Sequence, residues 1–163
     1  MRIGGHGLRE HLQLLAPLFG FIAAVWALRI VLYAAGAAPF SIALRVVSVT
    51  VAGMAAILVA VIMIHHRRFG GYANVVAAVF LLTCWEEFLM AAAIAFTAVT
   101  GVITVYRAPQ FSFGASPWLH VAGHLTIGIG ADTILGAAVG CAVFWMLRKA
   151  DPAGRKAAMG SRR

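Results

Sequence analysis

Apolar residues run along this chain in four long stretches, about Ala16 to Ala37, Arg45 to Ile64, Tyr72 to Thr100 and Pro117 to Leu147, with polar residues gathered between them. Such runs exceed the roughly 18 residues that cross a hydrocarbon core about 30 Å thick, and in lipid they must close their backbone hydrogen bonds internally, as helix. The last two are longer than one crossing needs and are expected to tilt, protrude or break near a glycine. Pro17 fits a first helical turn, and Gly36 with Pro39 fits an exit. The pattern predicts an all-α integral membrane protein. Its four-transmembrane-helix bundle forms one domain over residues 1–150, and a short basic tail follows over residues 151–163.

Composition agrees, because 63% hydrophobic and 11% charged residues in a chain of 163 exclude a soluble domain. The net charge of +8 is read as orientation. Arg2 and Arg9 precede the first span, Arg67 and Arg68 follow the second, and Arg148, Lys149, Arg155, Lys156, Arg162 and Arg163 follow the fourth. Ten of thirteen basic residues thus share one side. The positive-inside rule makes that side cytoplasmic, which places both termini inside and the protein in the cytoplasmic (inner) membrane. Tyr106, Phe111, Phe113 and Trp118 then cluster at the opposite face, where an aromatic belt belongs. Topology and attraction to anionic head groups account for the basic excess, so the partner is the lipid bilayer and no nucleic acid is required. A cleaved signal peptide fits poorly: the small residues Ala34 to Ala38 lie beyond the usual cleavage point at roughly 15 to 30 residues, and Arg29 interrupts the run. Cys84 and Cys141 fall in separate spans at different depths and read as buried thiols.

The chain has five acidic residues and spends three of them inside these spans, Glu86, Glu87 and Asp132. With Arg29 they are the candidate proton- or ion-binding residues, since a charge at mid-membrane costs about 2.5–3.5 kcal/mol and is paired, solvated or functional. Counting a straight helical rise from Tyr72 and Leu147 places Asp132 beside Glu87 and brings Thr50 to the same height. If Pro17 starts the first helix, Arg29 arrives there too. Adjacent residues point about 100° apart, so Glu86 and Glu87 cannot both face the fourth span. One cation among three acids leaves a carboxyl to be protonated or to hold a cation, the way coupling sites in transporters are built. A plain buried ion pair is the structural alternative.

His120 and His124 form an HxxxH that puts both imidazoles on one helical face, the candidate position for a metal or a haem. Two ligands are too few for a zinc or iron site, and Asp132 is about 12 Å further along the axis. His65 and His66 read as a solvated boundary. Gly136 and Gly140 form a GxxxG suited to close packing against a neighbour, a partner helix or a second copy in a homo-oligomer. No P-loop, GxSxG or CxxC is present. Three functions follow as expectations: proton- or ion-coupled transport or a subunit serving it, a membrane redox enzyme or haem or metal binder, and an assembly subunit of a larger membrane complex.

Overall fold

A computed structural model describes residues 2–38, 41–107 and 116–151. Most of the expected basic tail and most of the loop Ala108 to Ser116 lie outside the described residues. The chain is an all-α bundle preceded by a small β-hairpin, β1 (Arg2–Ile3) with β2 (His6–Gly7). The helices are α1 (Leu8–Ala34), α2 (Ile42–Val46), α3 (Val49–His66), α4 (Tyr72–Thr100), α5 (Pro117–Gly123) and α6 (Ile129–Ala150). A π-helical turn, His124–Gly128, joins α5 to α6, so the two form one long rod. Four stretches are long and apolar enough to cross a membrane: Leu8–Ala34, Ile42–His66, Tyr72–Thr100 and Pro117–Ala150.

The first of these corrects the expected start at Ala16. The helix begins at Leu8, where the Glu10 carboxylate accepts the Gly7 N–H at 2.5 Å and satisfies one of the donors left free in a first turn. Pro17 consequently lies inside the helix and removes one backbone bond there. The second stretch starts earlier than Arg45. It opens with α2, capped by Ser41, and breaks at Val47 and Ser48 before α3.

Helix α4 is the central element and packs against α1, α3 and the α5–α6 rod. Leu15, Ile22, Ile64 and Leu82 are fully buried around it. Gly136 and Gly140 are both buried on α6, and a Cβ on the first would press on Ile57 and Val79, on the second on Val61 and Val75. In lipid, helix association rests on such close packing, because the acyl chains are as apolar as the side chains. The GxxxG seam expected to meet a second copy or partner helix is therefore filled by the chain's own α3 and α4.

One end of the bundle carries the basic residues. There Tyr72 packs edge-on to Phe144 at 5.2 Å, and Arg148 lies over the Tyr72 ring at 5.8 Å. The hairpin closes the same end: Gly4 and Gly5 turn at positive φ, and a Cβ at Gly4 would collide with the Asn74 side chain. Buried Asn74 donates to the Ile3 carbonyl at 2.9 Å, accepts from the Gly71 N–H at 3.1 Å and contacts His11 Nε2 at 3.4 Å. His11 Nδ1 bonds the Gly7 carbonyl at 2.9 Å, which assigns Nδ1 as donor and Nε2 as acceptor.

Candidate functional site

The register between α4 and the α5–α6 rod decides which polar residues meet. Val79 against Gly136, Val75 against Gly140 and Tyr72 against Phe144 set it about one helical turn away from the register counted from Leu147. Glu87 is accordingly level with Gly128, and a Cβ at Gly128 would strike its carboxylate. Asp132 lies one turn toward the basic end and His124 one turn toward the far end, so Glu87 sits between them. The axial register is thus shifted from the one counted in sequence, yet Asp132 still lies within side-chain hydrogen-bond reach of Glu87. The shift corrects the separation of the histidines from the acids.

The result is a hydrogen-bonded chain. His120 Nε2 and His124 Nε2 are 3.2 Å apart, their rings stacked at 4.9 Å, and His124 Nδ1 lies 2.6 Å from Glu87 Oε2. Exposure falls along it, from the half-buried histidines to Glu87 at 2%. When Glu87 is the acceptor, His124 Nδ1 carries the proton toward it and His124 Nε2 accepts from His120 Nε2–H. His120 Nδ1 is then the free lone pair at the head of the chain, buried and without a partner among the described residues.

Adjacent Glu86 turns the other way, as the 100° step requires, and faces α3. Gly53 gives it room, since any Cβ there would overlap the carboxylate, and Thr50 approaches it from the same helix. Glu86 is 6% exposed, and its Oε1 has no hydrogen-bond partner among the described residues. Glu86, Glu87 and Asp132 lie within electrostatic range of one another, with His124 also in range of Asp132. Three acids thus meet two histidines in one layer.

Arg29 does not join them. Because α1 starts at Leu8, Phe19 is level with Trp85, where the indole N–H donates to the Phe19 carbonyl at 3.0 Å. Arg29 therefore lies about 12 Å nearer the far end than the acids. Its Nη1 bonds the Leu44 and Val47 carbonyls at 2.9 and 3.0 Å, the free acceptors at the end of α2, and its guanidinium sits 5.7 Å from the Tyr106 ring centroid. Tyr106 stands on a 3₁₀ turn, Val105–Arg107, that is pinned to α4 through Thr97 and Thr104: the Thr104 N–H donates to Thr97 Oγ1 at 3.2 Å. Burial pushes the Tyr106 phenol above its ordinary range, so it stays protonated and can donate.

Sequence reasoning groups the three acids and places Thr50 at their height, but misses Gly53 and Gly128 as the hollows that hold Glu86 and Glu87. The legible signal is a glycine inside one span at the depth of an acid in another. Among the described residues no group of three His, Cys, Asp or Glu side chains is arranged to hold a metal ion. No family model, curated protein or solved structure matches the chain.

Proposed function

We propose that the chain is a small proton-transferring membrane protein serving proton- or ion-coupled transport, alone or as a subunit of a larger membrane complex. The observation that carries this reading is the unbroken path from half-buried His120 through His124 to fully buried Glu87. A proton taken up at His120 Nδ1 lets His120 pass its Nε2 proton to His124, which passes its Nδ1 proton to Glu87. One proton enters, one carboxylate is neutralised, and ring reorientation resets the imidazoles. Glu86 and Asp132 share the charge of the layer, since three neighbouring carboxylates in lipid do not all ionise.

With both termini in the cytoplasm and the protein in the inner membrane, His120 opens toward the outside. Between the acids and the cytoplasmic end α4 buries Leu82, Val79, Ala78 and Val75, an apolar plug. Release inward then needs a second conformation, as alternating access requires. The test is proton flux into vesicles containing a pH dye. Glu87→Gln keeps shape and an acceptor for His124 but cannot take up a proton, so flux should fall at least about tenfold, the equivalent of about 1.4 kcal/mol. Unchanged flux would remove the relay.

Metal binding is the second reading. Two imidazoles ligating one tetrahedral ion hold their nitrogens about 3.3 Å apart, and a carboxylate on the other nitrogen of a ligand is the usual orienting partner. The histidine pair with Glu87 has that form, at 3.2 Å. Elemental analysis of detergent-purified protein decides it: stoichiometric zinc, iron or copper that is lost in His120→Ala would favour it.

A further inference from the structure

A second polar cluster lies on the far side of Glu86, where Trp26 and Arg29 stand one turn apart on the same face of α1 and the Arg29 guanidinium lies over the Tyr106 ring. Trp26 Nε1, Arg29 Nε and the Tyr106 hydroxyl are each buried and without a hydrogen-bond partner among the described residues. No described carboxylate lies within ion-pair distance of Arg29. Every one of these three groups can donate a hydrogen bond, and one carries a permanent charge. Leaving donors and a cation unanswered in a lipid-embedded bundle is costly, so their natural complement is an anion that accepts several hydrogen bonds. Two carbonyls already hold the guanidinium by Nη1, which fixes its orientation and leaves Nε free.

We propose that Trp26, Arg29 and Tyr106 form a binding site for an oxyanion, a small carboxylate being the simplest that fits, and that Glu86 makes its occupancy proton-dependent. The second clause rests on the proton-transfer reading; the first stands on the donors alone. Tyr106 is in electrostatic range of both Arg29 and Glu86, so it bridges the cation and the acid layer. An ionised Glu86 repels the bound anion, and a protonated one does not. The other groups facing Glu86 are Thr50 on α3, Glu87 on its own helix and Asp132 on α6, with His124 behind Glu87. Anion and proton would thus be held together, as in a symporter.

The experiment is thermal unfolding and tryptophan fluorescence of the full chain in a non-ionic detergent. It is titrated with sodium acetate against sodium chloride of equal ionic strength, and in a parallel arm with dihexanoyl phosphatidylglycerol. Acetate should give a saturable shift that is tighter at the pH where Glu86 is protonated than at the higher pH where it is ionised. Tyr106→Phe and Trp26→Phe, which leave the Arg29 carbonyl bonds intact, should each weaken it about tenfold, or about 1.4 kcal/mol. Arg29→Gln should abolish it, and Glu86→Gln should keep binding while removing its pH dependence. Saturation by the lipid alone, with the same variant pattern, assigns the oxyanion to a head group. A response to neither ligand, or one unchanged in Tyr106→Phe and Trp26→Phe, overturns the site. Intact binding without proton flux would instead overturn the relay and leave the site standing.

Discussion

At 2% exposure Glu87 is held by His124 at 2.6 Å, with Asp132 as its other side-chain neighbour, so Glu87 and His124 should respond to mutation very differently from His120. Removing His124 strands a buried carboxylate, a loss of about 3–5 kcal/mol if Glu87 stays ionised. His124→Ala should therefore lower the unfolding midpoint in detergent markedly, and Glu87→Gln added to it should restore much of that loss. His120 is half-buried and leaves no charge behind, so His120→Ala should cost less than about 1 kcal/mol while slowing proton uptake. Equal destabilisation by the two histidine variants would show that the chain of hydrogen bonds has no direction in energy.

The helices make the site by what they omit. Gly53 on α3 and Gly128 at the end of the π turn are hollows into which Glu86 and Glu87 fit, and a Cβ at either overlaps a carboxylate. Gly53→Ala should displace Glu86 and cost about 1–3 kcal/mol by overpacking, with flux reduced although every acid is still present. Flux and stability at wild-type levels in that variant would show that Glu86 has other room. Much of this scale is legible in sequence: four apolar runs, the acids in the third and fourth, and the turn of 100° that separates Glu86 from Glu87. Two features are not. The start of α1 is set by Glu10 reaching back to Gly7, a local capping contact, whereas Pro17 is the more conspicuous start signal. The slip of about one turn between α4 and α6 is set by valines entering the gaps at Gly136 and Gly140, a packing fact that hydropathy does not encode.

For the whole molecule, orientation is the first thing to test. In a background with Cys84 and Cys141 replaced, Ser116→Cys should react with an impermeant thiol reagent added outside intact cells, and Arg67→Cys should react only after permeabilisation. Ser116→Cys labelled only after permeabilisation would reverse the bundle, and with it the direction of the relay. The basic end makes a separate claim, because Asn74 ties together Ile3, His11 and Gly71. Asn74→Ala should cost about 1–3 kcal/mol for each buried group it leaves unanswered. A midpoint within a degree of wild type would mean that water replaces the side chain.

That tie also imposes an order of assembly. Ile3 and Asn74 are 71 residues apart, so Ile3 cannot take its final place until Asn74 has been made. At roughly 5–20 residues per second that is a wait of several seconds. During it α1 is complete while the hairpin before it still lacks its Asn74 partner. A nascent chain stalled before Tyr72 should leave Arg2 open to protease. One stalled after α4 has cleared the translocon should protect it.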